Sequence, residues 1–196
     1  GGESNYGAEL YELEAKLRDA GYLPMRLLNA GRLQRWTEIP KGIRAVILPD
    51  RVSLTPQDAG QVRRFVNGGG KAIAFGRGSG LAVSADNLRP DDLFGARSAG
   101  FIDQAARGPL QVSWKGEALA ISRMLHIIPK PADALLWAKG FYDGAIPLLA
   151  VNRSGKGAAY FSAAPESAFE KAPAVLEHFW SEVIGDPAWK CAGKPG

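Results

Sequence analysis

The chain has 196 residues, 46% hydrophobic and 22% charged, which suits one well-cored domain or at most two small ones and excludes disorder, collagen and coiled coil. Its apolar runs, such as Ala45-Val46-Ile47-Leu48, are far shorter than the roughly 18 residues of a membrane-spanning helix. The formal charge is +4, but the basic residues are scattered, so no nucleic-acid partner is expected.

From Tyr6 to Ala20, Leu10, Leu13 and Leu17 recur at helical spacing with charged residues between them, and Gly21 is the stop signal. Leu23 to Leu28 reads as a strand. Arg44 to Leu48 is a near-continuous apolar run, as in a strand covered on both faces. The next helix has a clear start, with Thr55 as cap, Pro56 where a missing N–H costs nothing, and Asp58 near the positive end. Val62, Phe65 and Val66 supply its buried stripe. Asn67-Gly68-Gly69-Gly70 ends it, and Lys71 to Phe75 follows as a second buried strand.

This alternation predicts an α/β fold: a flavodoxin-like open, mostly parallel sheet flanked by helices. The strand that normally feeds the first helix is missing. After Phe75 the rhythm changes to a glycine-rich loop over Gly76 to Ser84, a helical turn near Pro90 to Gly95, and short runs at Ala99–Ile102, Leu110–Trp114, Ala118–Ile121 and Ala134–Ala138. Punctuation by Pro and Gly predicts added antiparallel strands in this half. Ile146–Val151 and Ala158–Ser162 flank a turn at Arg153 to Gly157. Ala172, Val175, Leu176, Phe179, Trp180 and Val183 form the stripe of a last helix, closed by Gly185 and Pro187. Trp114, Trp137 and Trp180 are expected in the core, as is Trp36. A single domain over residues 1–190 with a loose tail at 191–196 is the expected organisation. Gly1-Gly2 reads as a cut from a longer protein, which leaves targeting and compartment open.

Three stretches in order carry a family resemblance. Ala45 to Asp50, Leu54-Thr55-Pro56, Val62 to Val66 and Gly69-Gly70-Lys71 are similar to the strand, capped helix and "GG-strand" unit of class I glutamine amidotransferase-like domains. Asp92-Leu93-Phe94-Gly95-Ala96 resembles the "DLLGV" turn of the beta-galactosidase trimerisation domain, a member of that superfamily. Gly140 to Gly144, Pro147, Asn152-Arg153, Gly155-Lys156-Gly157 and Tyr160-Phe161 resemble its "NRYGKG" segment and following aromatic pair. The similarity spans roughly Gly7 to Ile184, with Phe101 to Met124 matching little.

The resemblance implies a test for catalysis. Active members use a cysteine at a tight strand-to-helix turn, a His that takes its proton and a Glu that orients the ring, with backbone amides holding the oxyanion. Here the corresponding turn is Gly76-Arg77-Gly78-Ser79-Gly80, without cysteine, and the "HPE" segment reads Ala164-Pro165-Glu166. Ala164 and Glu166 therefore stand at degenerate triad positions, and no enzyme activity is expected of this chain. Cys191, the only cysteine, lies beyond the last helix and reads as a surface thiol. Ser79 would need a base from His126 or His178, both more simply read as structural. A glycosidase barrel of about 250 residues does not fit beside this layer.

Binding candidates come next. Gly76, Arg77, Gly78 and Ser79 with Asp50 lie at strand ends where open sheets place ligands, and could hold a sugar or anion, although a tight turn is the simpler reading. Asp91-Asp92 reads as a helix start and not a cation site, and no metal or cofactor is expected. Phe141 and Tyr142 are adjacent aromatics beside the turn residues Asp143-Gly144, suited to an interface or to stacking on a sugar. The expectation is an accessory domain that self-associates or docks on another domain of its chain, with a small-ligand module as the alternative and a cryptic amidotransferase last.

Overall fold

The computed structural model describes residues 6–24, 39, 41–48, 56–76, 93–104, 106–129, 132–142, 144–169 and 172–187, with backbone only for 6–10 and 56–58. Among the described residues, helices α1 (Tyr6–Asp19), α2 (Pro56–Asn67) and α3 (Pro173–Ile184) accompany nine strands: β1 (Ala45–Leu48), β2 (Lys71–Phe75), β3 (Ala96–Asp103), β4 (Leu110–Trp114), β5 (Glu117–Ile121), β6 (Arg123–Pro129), β7 (Asp133–Phe141), β8 (Gly144–Ser154) and β9 (Gly157–Ser162). Seven strands form one mixed sheet in the order β1-β2-β9-β8-β7-β4-β5, and β3 pairs with β6 in a separate ribbon.

The expectation of a mostly parallel sheet does not hold. β1, β2 and β9 run parallel, but β9–β8, β8–β7, β7–β4 and β4–β5 are all antiparallel. The reason lies in the connections. Parallel neighbours need a long crossover, which β1–α2–β2 supplies. Two-residue turns closing Trp114↔Glu117, Phe141↔Gly144 and Ser154↔Gly157 can join only antiparallel strands. The antiparallel strands expected in the second half are present, and β6 extends them through His126. The expected strand from Leu23 lies mostly outside the described residues, and Leu23 itself is exposed and outside any strand.

The parallel layer packs through closely approached backbone. Val62 and Val66 are fully buried, and the end of α2 runs straight into the β8–β9 turn. A Cβ at Gly157 would collide with the carbonyl oxygens of Gly70 and Val66, and one at Gly155 would sit 2.5 Å from the Asn67 carbonyl oxygen. The Lys156 amide donates to that same carbonyl at 3.1 Å. Glycine is thus required where helix, turn and strand share one space.

α3 brings the aromatic core. Pro173 opens it and Gly185, at φ 88°, closes it with an N–H to the Ser181 carbonyl. The Phe179 ring lies 5.1 Å from Phe169, 5.1 Å from Trp180, 5.6 Å from Phe75 and 6.1 Å from Trp114, centroid to centroid. These spacings suit tilted and edge-to-face contacts, which add to the burial of the rings. Trp180 is buried and Trp114 half-buried, as expected of core residues. Trp137 is not, at 46% exposed, because its strand alternates and spends its inward positions on Leu136 and Ala138. Trp36 lies outside the described residues.

The sheet's amino-terminal edge is tied to the end of α3. The Tyr22 hydroxyl donates to the Gly185 carbonyl at 2.8 Å and the Lys71 ammonium to the Glu182 carbonyl at 3.0 Å. Burial, which penalises the phenolate, raises the Tyr22 and Tyr160 hydroxyls above the ordinary tyrosine value, with nearby carboxylates adding to the rise.

Candidate functional site

At the carboxyl end of β2 and β9, where ligands were expected, the described backbone is sewn shut. The Gly76 N–H donates to the Ser162 carbonyl at 2.6 Å, the Ala163 N–H to Leu148 at 2.7 Å, and the Leu125 N–H to Ala163 at 2.8 Å. The buried Ser162 hydroxyl turns back to the Ala164 carbonyl at 2.8 Å. A Cβ at Gly76 would meet Leu125 Cδ1 at 2.8 Å and the Ala163 carbonyl oxygen at 2.9 Å. β6 therefore plugs this end of the sheet with Leu125, and Gly76 is a packing glycine. Arg77, Gly78, Ser79, Asp50, Asp91, Asp92 and Cys191 lie outside the described residues.

The two positions that the sequence resemblance sets against triad members are near in sequence but differ in setting. Ala164 has no exposed surface, whereas Glu166 is half-buried and opens a short 3-10 helix, Glu166–Phe169. An imidazole at Ala164 would need space that the packed side chain does not leave. His126 is half-buried beside the Phe141 ring at 5.9 Å, and His178 is half-buried on α3. The structure brings neither within a described contact of Glu166.

A groove of about 490 Å³ opens at the opposite, amino end of the parallel strands, lined by Ile43, Arg44, Phe65, Gly68–Gly70, Lys71 and Ile184. Its size suits a small ligand, but its polar groups are committed elsewhere. Lys71 caps α3, and the Gly68, Gly69 and Gly70 amides donate to the Arg64, Val66 and Phe65 carbonyls. This groove is the seam between α2, α3 and the sheet edge.

The β7–β8 hairpin tip is different. Phe141 is half-buried, while Tyr142 is 72% exposed at φ 51°, a left-handed conformation that side chains rarely adopt. The two rings meet edge-on at 4.9 Å, and the Arg107 guanidinium carbon stands 5.5 Å from the Tyr142 centroid. Arg107 was not foreseen, because its position depends on the pairing of Gln111 with Lys139, which extends the line of β4 past the hairpin tip. Among the described residues no group of His, Cys, Asp and Glu could hold a metal, and no helix is long and apolar enough to cross a membrane.

Comparison with protein-family models and with curated protein sequences finds no match. Comparison with solved structures does, and the fold is one found inside larger sugar-cleaving enzymes. A GH42 beta-galactosidase from G. stearothermophilus superposes with a TM-score of 0.65 at 15% identity, over 92% of this chain and 26% of that one. A polyextremophilic beta-galactosidase from Halorubrum lacusprofundi gives 0.60 at 20% identity, over 94% of this chain and 27% of that one. The chain thus spans about a quarter of the length of these enzymes. Cytoplasmic protein STM1381 from Salmonella typhimurium LT2 gives 0.61 at 16% identity, over 86% of this chain and 82% of its own. The likeness to part of the beta-galactosidases agrees with the sequence resemblance, and at these identities it is a likeness of fold.

Proposed function

We propose that this chain is a non-catalytic accessory domain that provides subunit or interdomain contacts in a glycoside hydrolase or a related multidomain protein. The observation that carries the reading is coverage: nearly all of this chain superposes on about a quarter of a beta-galactosidase. In this reading the parallel trio β1–β2–β9 is what remains of an amidotransferase-like, flavodoxin-like layer, with alanine where the resembled family has its His and no cysteine at the turn after Phe75.

The contact surface in this reading is the β3–β6 ribbon. Arg97 to Phe101 are all exposed along β3, Phe101 at 39%, with Ile128 on β6 at 51%. The inner face of the ribbon, with Ile102, Met124, Leu125 and Ile127, is buried in the core, so its outward residues form an exposed patch for a partner to cover. His126 carries the surface on to Phe141. The fold also makes up most of the Salmonella protein, and contacts between copies are a second form of the same role.

Light scattering across a concentration series tests it. A self-associating chain that becomes monomeric in the double variant Phe101→Asp, Ile128→Asp supports the reading. A monomer that also fails to bind the remainder of its own polypeptide, supplied as a separate chain, sinks it. Ammonia release from glutamine that disappears in Cys191→Ala would show a catalytic protein instead.

A further inference from the structure

The β7–β8 tip has a chemistry that a contact surface alone does not require. Tyr142 is held outward at φ 51° and 72% exposed, in a two-residue turn position where Asn, Asp or Gly would be the relaxed choice. Phe141 braces one edge of its ring and the Arg107 guanidinium lies over it. Two loops distant in sequence therefore converge on one exposed aromatic. Its phenolic hydroxyl has no hydrogen-bond partner among the described residues, and the Arg107 guanidinium no ion pair.

Charge narrows the ligand. On the neighbouring strands Asp103 is paired with Arg123 at 3.1 Å and Asp133 with Arg153 at 3.5 Å, while Asp143, next to Tyr142 in sequence, lies outside the described residues. At the tip, Arg107 keeps its planar fork of donors, and Lys139 stands exposed on the face that also carries exposed Trp137. The apolar area is one ring with a braced neighbour, enough to seat one sugar ring but far below the roughly 800 Å² per partner of a stable protein interface. A ligand that satisfies both features has a flat C–H face and a carboxylate on its rim.

We propose that the Tyr142–Arg107 tip is a binding platform for acidic carbohydrate, stacking a pyranose ring on the tyrosine while the guanidinium receives a uronate carboxylate. The site borders the β3–β6 contact surface through the His126–Phe141 contact, but its ligand chemistry does not depend on that surface.

Calorimetric titration of the full chain with trigalacturonate, galactotriose and citrate is the test. Saturable binding of trigalacturonate is expected, with galactotriose weaker by roughly tenfold for want of the charge-assisted bond and no heat from citrate. Tyr142→Asn suits the left-handed backbone, so it should fold as the parent does yet lose trigalacturonate binding. Arg107→Gln should keep galactotriose binding and lose the preference for the acid. Absence of trigalacturonate binding, equal binding of citrate, or unchanged affinity in Tyr142→Asn would each overturn the proposal. So would a fall in solution mass in Tyr142→Asn without any sugar binding, which would mean that a second copy occupies the tip. A monomeric parent that binds the sugar would sink self-association and leave the platform standing.

Discussion

The two halves of the sheet solve the same packing problem in opposite ways. In the parallel half and the β8–β9 turn packed on it, a Cβ at Gly76, Gly155 or Gly157 would meet carbonyl oxygens and one at Gly70 would meet the Phe65 ring, so none has room for a methyl group. In the antiparallel hairpins and the β3–β6 ribbon, Gly100, Gly108, Gly116 and Gly140 stand in open space and are glycines for their positive φ, whereas Gly95, just before β3, is both crowded and at φ 62°. The crowded glycines, concentrated around the parallel strands, are specified by volume and the open ones, concentrated in the hairpins, by backbone conformation. The difference teaches where change is tolerated: the volume-specified half resists it, while the conformation-specified half can vary its side chains and expose them.

The largest effect should come from the aromatic core that joins the halves. Phe179→Ala removes the ring that touches four others and should cost about 3–5 kcal/mol in urea unfolding. Next, Gly157→Ala should cost about 3 kcal/mol, because the obstructing atoms are carbonyl oxygens that cannot rotate away. Gly100→Ala, in open space but at φ 135°, should lose only about 1–2 kcal/mol. Equal losses at the two glycines would erase the distinction between the halves.

A smaller effect is set by pH. Tyr22 and Tyr160 have hydroxyls raised above the ordinary value of about 10, so their neutral forms contribute stability that is fully present below that value and lost as pH rises through their folded values. Unfolding free energy should therefore fall in the alkaline range, and Tyr22→Phe or Tyr160→Phe should flatten part of that fall in denaturant titrations. The smallest change is a gain. Tyr142→Asn should raise stability by up to about 1 kcal/mol, since asparagine tolerates the left-handed conformation better.

These regions were unequally legible in the sequence. The helix stripes of α2 and α3 and the strands β1, β2, β4 and β9 follow from local periodicity, because each is bounded by glycine or proline and buries one continuous pattern. Strand direction did not follow, since it depends on which segment comes to lie beside β2. That neighbour is β9, more than eighty residues on in the numbering, and no local pattern announces it. Trp137 was misread for a related reason: alternation shows that one face is buried but not which one. Of the candidate residues, Phe141 and Tyr142 were visible as adjacent aromatics at a turn, whereas Arg107 reaches them only through the β4–β7 register. Gly76 was visible as a turn residue, and its true constraint, the Leu125 side chain with the Ala163 carbonyl oxygen, comes from segments distant in sequence.

The insertion of β9 between β2 and β8 also has a consequence for how the chain comes to be folded. On a ribosome, β1, α2 and β2 emerge early, and β2 then presents an unpaired edge of Lys-Ala-Ile-Ala-Phe until β9 has been synthesised. Through that interval β2 has β1 on one side and an open edge on the other, the kind of edge that recruits foreign strands. Its nearest protection is speed in closing the long loop. The high sequence separation of β2 and β9 makes that closure slow, in the millisecond-to-second range typical of non-local sheets. Truncations ending before Gly157 should accordingly aggregate, whatever native contacts the remaining strands retain.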